Sequence, residues 1–427
     1  MKITIISFSF VRGGAAIAAQ KFARLENKLS DVTCYCVDNS NVAGLSIICS
    51  SKLGLYAHFV KRIISFLLLK LMKDGNSVKH SMNLFSSSNV LKGIEKARMS
   101  DSVLNIHWFN NDTLSIWRLS LLPKSTIITL HDEWLYCGAE HYYPIGNEKK
   151  EQFRSGYIFR QKKLTGLNWN YLIWKIKYKK LKERNDLIYT VPSNWMLNRA
   201  KNSDMLKGKD IRLLPNPIET ERYYQLEPEF KTAIRQKWGM VNQDIVIAIG
   251  AIDGEKNYLK GGVLSRIAFS NLKNILEEAE LNRIKVVLFG GPKNGYCSYE
   301  GFSAINLGRI ATNDGMREVY NAADFVMVPS LVESFGQVAA ESLACSTPVV
   351  AFSCSGLLDV IKDKKHGYLA DPFDPISLSN CIARMVKLSS HERVELGVAG
   401  RKHILEHFSK DVVGKMYKNI LEDAFKK

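Results

Sequence analysis

The sequence predicts an α/β protein of two doubly wound domains that face each other across a cleft. Three observations lead there. Short apolar runs alternate with longer amphipathic stretches along the chain, the pattern of βαβ units around a buried parallel sheet. Leu214-Pro215-Asn216-Pro217 then breaks the pattern, because two prolines suit neither a helix interior nor a sheet and make a stiff elbow. Beyond the elbow the same alternation restarts. A length of 427 residues fits two or three domains of about 150 residues each.

In the first half, Lys2–Phe8, Val32–Val37, Val103–His107, Ser125–Leu130 and Leu187–Val191 read as buried strands. The loop after the first strand carries Arg12-Gly13-Gly14 before a helix of small residues. Glycines there let backbone N–H groups approach a phosphate at a helix N-terminus, although a tight turn would use them too. Lys61–Lys73 reads as an apolar helix edged with cations. In the second half the strands are Ile245–Ile249, Lys285–Phe289, Phe325–Val328 and Pro348–Phe352, and a helix closes the chain. The domains are therefore set at 1–215 and 216–409, with a helix over 410–425 that can pack back on the first. Ligands of such sheets bind at the carboxyl ends of the strands.

Composition narrows the class. With 46% hydrophobic and 24% charged residues, the chain is too apolar for disorder. No run of 18 apolar residues suggests a spanning helix, and the N-terminus reads as a strand rather than a signal peptide. Eight cysteines without a CxxC pair exclude a zinc ribbon and fit reduced thiols of a cytosolic protein. The net charge of +17 lies wholly in residues 1–215, which hold 33 Lys+Arg against 16 Asp+Glu. Its densest window, 148–184, interleaves cations with aromatics such as Trp169 and Trp174. That mixture fits an anionic lipid surface or a nucleic acid, and also a solvated helix with a packed aromatic face. No RNA-binding module or base-reading helix is recognisable, so no nucleic acid is expected.

The sharpest chemistry follows the strand Phe325–Val328. Ser334 to Gly336 make a strand-to-helix turn, and small residues follow on the helix. Free N–H groups and the helix dipole favour a phosphate there. Glu333 stands before the helix and Glu341 about a turn and a half inside it. A carboxylate accepts two hydroxyl hydrogen bonds, which suits a sugar diol. Lys260, before Gly261-Gly262, offers a point charge to a diphosphate. His131 ends the strand Ser125–Leu130 at the cleft edge, and His107, in a similar place, reads as structural.

The stretch Glu333–Glu341 resembles the Glu-x7-Glu signature of retaining nucleotide-sugar glycosyltransferases of the GT-B fold, glycosyltransferase family 4. The likeness extends through Tyr320–Asp324, Ser346–Ala351 and His366–Leu369. The first half resembles the colanic-acid and O-antigen branch at Leu104–Trp108, Thr129–Trp134, Gly138–Tyr142 and Val191–Met196. Two departures stand out. The family's Arg before the Lys-Gly is absent from Ile249-Gly250-Ala251, and Gly138-Ala139-Glu140 replaces the branch's Gly-Gly-Cys.

The resemblance implies two Rossmann-like domains and transfer, with retention, from a nucleotide-diphosphate sugar to a glycan acceptor. The acceptor would be lipid-linked and the product a bacterial surface polysaccharide. Glu333 and His131 would be catalytic, both beside the donor sugar. Glu341 would hold the ribose, and Ser334, Phe335, Gly336 and Gln337 would border the sugar and diphosphate. Arg309 would border the base, and Lys260, Gly13 and Gly14 the leaving diphosphate. The nucleotide sugar is a substrate, so no cofactor is expected. The absence of Asp-x-Asp leaves no expected metal site. The enzyme would work in the cytoplasm, its basic domain docked peripherally on the inner face of the membrane. The alternatives are a sugar-nucleotide epimerase or phosphorylase on this fold, an inactive homologue, or a basic nucleic-acid-binding α/β protein. The last leaves Glu333 and Glu341 without a use.

Overall fold

The computed structural model describes residues 1–26, 31–73, 79–143, 151–159, 165–250, 258–291 and 295–427. The expected strand end at Ala251 and part of the window 148–184 lie outside the described residues. The chain forms two compact units, one of residues 1–217 with 413–427 and one of residues 218–412.

The first unit holds strands β1 (Lys2–Ser7), β2 (Asp31–Cys36), β3 (Ser46–Ile48), β5 (Val103–His107), β6 (Ile127–Thr129), β8 (Ile188–Val191) and β9 (Asp210–Leu213). They form one parallel sheet in the order β3-β2-β1-β5-β6-β8-β9. A separate antiparallel ribbon joins β4 (Met72–Lys73) to β7 (Thr165–Gly166). Ile3 pairs with both Val32 and Val103, and β5 is buried along its whole length. Both faces are covered, so the inner strands of this sheet are rich in apolar residues rather than strictly alternating. The last helix, Lys410–Lys426, contributes Val413, Tyr417 and Leu421 to this unit's core, and Asn105 Nδ2 donates to the Tyr417 hydroxyl at 2.8 Å.

The second unit holds β10 (Ile245–Gly250), β11 (Ile284–Phe289), β12 (Gly295–Tyr299), β13 (Phe302–Asn306), β14 (Phe325–Val328), β15 (Val349–Phe352) and β16 (Gly367–Ala370). Their order is β12-β13-β11-β10-β14-β15-β16. The sheet is parallel except at one edge, where β12 pairs antiparallel with β13.

Several strands went unread in the sequence. Asp210-Ile211-Arg212-Leu213 alternates charge with apolar residues, as a half-exposed edge strand does, and β3 has only three residues. Conversely, the expected strand Ser125–Leu130 shrinks to Ile127–Thr129, since Ser125 has a left-handed φ of 57°.

In each sheet the order of the parallel strands reverses, between β1 and β5 and between β10 and β14. Such a reversal opens a crevice outside the carboxyl ends of the two strands, where ligands bind.

The apolar helix expected over 61–73 is real but starts earlier, at Lys52, and ends at Leu69. Ser51 caps it by accepting from the Gly54 N–H. Its orientation is inverted. His58 and Ser65 are buried, while Leu53, Tyr56, Phe59, Phe66 and Leu67 are exposed.

Candidate active site

In the second unit the crevice between β10 and β14 gathers the residues singled out above. Lys260 ends a short 3-10 turn, Tyr258–Lys260, just before Gly261 and the helix Gly262–Asn271. Gly261 has φ of 66°, and a Cβ there would come within 1.8 Å of the Pro329 carbonyl oxygen. Only glycine allows the two loops to meet this closely. Their meeting brings Lys260 Nζ to 2.6 Å from Glu333 Oε1, across 73 residues of sequence. The Ser330 hydroxyl donates to the same oxygen at 2.8 Å, and the Glu333 N–H donates to the Ser355 hydroxyl at 2.9 Å. Glu333 is thus held from both its side chain and its backbone.

Gly336, with φ of 101°, opens the helix Gln337–Ala344. Five residues on, Glu341 is buried and accepts a hydrogen bond at each oxygen. Gln337 Nε2 donates to its Oε1 at 2.7 Å, and the Tyr320 hydroxyl donates to its Oε2 at 3.1 Å. Burial, and then the Glu341 charge, push the Tyr320 and Tyr223 hydroxyls well above the usual range, so both stay protonated. For Phe335 the expected role is one of backbone groups, and the buried ring leaves that role to them. Its ring is buried edge-on against Phe408 at 5.3 Å, so only its backbone borders the crevice. Arg309 is exposed in the loop after β13, at the same carboxyl edge.

The first unit places Gly13 and Gly14 at the carboxyl end of β1, where the helix Gly14–Glu26 begins. Gly13 has φ of 90°, and no atom lies within 4 Å of where a Cβ would stand on either glycine. The backbone is open to an approaching group. His131 follows β6. Its Nε2 lies 3.0 Å from Nδ1 of His107, and the two rings stack with centroids 5.3 Å apart. His107 is completely buried beneath it, against Phe22 at 5.4 Å. Burial lowers the His131 pKa to about 4, so the ring is neutral near pH 7 and serves as a hydrogen-bonding group.

The next residue anchors this loop. Asp132 Oδ2 accepts from His141 Nδ1 at 2.6 Å and from Trp108 Nε1 at 2.8 Å. Burial opposes the ionisation of Asp132, but His141 and these hydrogen bonds outweigh it and hold the carboxyl below its usual range. A carboxylate only accepts, so His141 Nδ1 carries the proton and its Nε2 accepts from the Ser81 hydroxyl at 2.7 Å. His141 is 4% exposed, which makes it a buried strut rather than a group for an acceptor. Glu140 is buried too, bonded to the Tyr157 hydroxyl, and Lys177 beneath it donates to the Gly138 carbonyl at 2.7 Å. Sequence reasoning missed Tyr320, Ser330 and Ser355. Only the Asn-Ala-Ala-Asp motif beside Tyr320 hinted at any of them.

Comparison with known proteins points the same way. Residues 230–403 match the family described as glycosyl transferases group 1. A D-inositol 3-phosphate glycosyltransferase of Corynebacterium jeikeium is 37% identical over 240 residues, 51% of this chain and 55% of that protein. The chain thus spans about half the length of that relative, and a smaller share of others. Among solved structures, sucrose-phosphate synthase from Thermosynechococcus elongatus superposes with a TM-score of 0.67 at 16% identity, covering 100% of this chain and 99% of that one. Anabaena HepE, solved in complex with UDP-glucose, gives 0.64 at 15% identity, covering 99% and 100%. The chain therefore has the GT-B fold, and its residues 230–403 are similar to the glycosyl transferases group 1 family.

Proposed function

We propose that the protein is a retaining glycosyltransferase that moves a sugar from a nucleotide-diphosphate sugar to a lipid-linked glycan in bacterial surface polysaccharide biosynthesis. The observation that carries this reading is the convergence of Lys260, Glu333, Gly336, Gln337 and Glu341 at one crevice of the second sheet. Glu341, already oriented by Tyr320 and Gln337, presents a carboxylate of the kind that holds a ribose diol. Lys260 and the N–H groups of the helix Gln337–Ala344 stabilise the leaving diphosphate. Glu333, held by Ser330 and Lys260, meets the hydroxyls of the donor sugar. His131 adds a neutral imidazole, and Arg309 borders the base. A UDP-glucose complex of the neighbour HepE is consistent with a nucleotide-sugar donor.

The place of action rests on the inverted helix Lys52–Leu69. Leu55, Leu68 and Leu69 pack against the core, but most of its apolar side chains face outward with Lys61, Arg62 and Lys70 among them. The surface continues past the helix, because exposed Leu167 donates its N–H to the carbonyl of exposed Leu71 at 3.1 Å. Apolar residues ringed by cations fit the headgroup region of an anionic bilayer, where a lipid-linked acceptor is presented. Among the described residues no helix is long and apolar enough to cross a membrane.

The deciding experiment incubates the full chain with a panel of nucleotide sugars and follows the products. Release of a nucleoside diphosphate, lost in Glu333→Ala, supports transfer. Conversion of one nucleotide sugar into its epimer, with no diphosphate release, favours the epimerase reading instead.

A further inference from the structure

A cavity of about 730 Å³ opens within the second unit. Its walls precede the strands rather than follow them, with Asp244 just before β10, Asp324 just before β14 and Pro348 just before β15. It therefore lies at the amino edge of the sheet, away from Lys260, Glu333 and Glu341 at the carboxyl edge.

The lining carries five lysines and arginines against four aspartates and glutamates, and its cations gather at one point. Arg235 Nη2 lies 2.7 Å from one oxygen of Asp324, and Lys231 Nζ and Arg393 Nε lie 3.6 and 4.0 Å from the other. One carboxylate thus faces three cations. Arg235 and Arg393 are only 4% and 6% exposed, so water screens them little. Two buried polar atoms of the wall have no hydrogen-bond partner, Arg393 Nε and Ser346 Oγ. Burial lowers the pKa of both Lys231 and Arg393, Asp324 resists this, and neighbouring arginines add to it.

The other carboxylates of the lining are engaged elsewhere. Glu280 and Glu392 each close a capping box, accepting from the N–H of Glu277 and of Ser389. Asp244 accepts from the Val241 N–H at 2.8 Å and has Lys285 at 3.9 Å. Arg283 and Lys387 bring further cations to the lining.

Although Arg393 Nη1 already donates to the Leu388 carbonyl, three cations on one carboxylate beside the unpartnered Arg393 Nε and Ser346 hydroxyl are matched by an acceptor-only dianion. The volume is far larger than a bare phosphate needs and lies within the usual range of small-molecule sites. We propose that this cavity binds the phosphate group of a small phosphorylated molecule, at a site separate from the donor crevice. The two are joined through the fold. Ser346 lies just beyond the helix that carries Glu341, and the adjacent Thr347 hydroxyl donates to the Tyr320 carbonyl at 2.7 Å, while the Tyr320 hydroxyl holds Glu341.

The test is isothermal titration of the full chain with potassium phosphate and with glucose 6-phosphate, at an ionic strength fixed by potassium chloride. Wild type, Lys260→Ala, Lys231→Gln and Arg393→Gln are compared. Binding should persist in Lys260→Ala and weaken about tenfold in Lys231→Gln, the loss of one charge-assisted contact. Lys231 is 35% exposed at its side chain, so that variant decides the matter even where Arg393→Gln does not fold. Tighter binding of glucose 6-phosphate identifies a phosphorylated sugar, and equal binding identifies free phosphate. Absence of binding by wild type overturns the proposal. So does binding that is lost in Lys260→Ala and kept in Lys231→Gln, which would place phosphate in the donor crevice. Neither result bears on nucleoside diphosphate release, so the transferase reading stands or falls separately.

Discussion

Replacing Phe59, Phe66 and Leu67 together by serine should detach the protein from anionic membranes without unfolding it. The three side chains are 60%, 58% and 55% exposed in the folded unit. Full burial of such a side chain is worth about 1.5–3 kcal/mol, so covering the exposed half recovers about 1 kcal/mol each. The triple variant therefore loses about 3 kcal/mol of membrane affinity, roughly a hundredfold in the partition constant. Lys61, Arg62 and Lys70 add about 1 kcal/mol each near an anionic surface, and salt screens that share. Because the three residues contribute little to the core, the serine variant should keep its stability within about 0.5 kcal/mol. Co-sedimentation with vesicles of neutral or partly anionic lipid, at low and at high salt, reads the effect. The reasoning fails if the triple variant sediments like wild type, or if wild type ignores both lipid charge and ionic strength. It also fails if light scattering shows wild type to be a dimer that the serines dissociate, since a second copy would then cover the helix.

Glu341→Ala should weaken nucleotide-sugar binding and Glu333→Ala should mainly lower turnover, each by about 1.5–3 kcal/mol for a lost charged hydrogen-bond pair; a folded Glu333→Ala with full transfer rate would refute the assignment. Gly261→Ala should lower the thermal midpoint and impair donor binding, because its Cβ cannot coexist with the Pro329 carbonyl at 1.8 Å; a variant as stable as wild type by circular dichroism would contradict the loop geometry. Burial holds His58, His131 and His366 at about 4. Each takes up a proton on unfolding, so stability is full above about pH 6.5 and falls as pH drops toward 4, by on the order of 1–2 kcal/mol per residue between about pH 7 and 5. A thermal midpoint that is unchanged or higher at pH 5 would show that these rings are not buried neutral.

Much of this protein was legible from its residues alone, for a physical reason. Strands buried on both faces favour apolar runs, so β14, Phe-Val-Met-Val, was readable to the residue, as was β5 despite Asn105 and His107. The Glu333-to-Glu341 spacing was equally plain, since both lie within one strand–turn–helix segment. Contacts made across long stretches of sequence were not. Nothing local says that Lys260 meets Glu333, that Tyr320 orients Glu341, or that His107 lies under His131. Nor does anything local say that His141 is a buried strut, with Asp132 and Ser81 on its two nitrogens. The helix Lys52–Leu69 shows the division best. Its composition announces apolar residues and cations, and either a core helix or a surface helix could use them. Only the packed unit decides that His58 and Ser65 face the protein and the phenylalanines face out, because exposure depends on which side of the helix its neighbours cover.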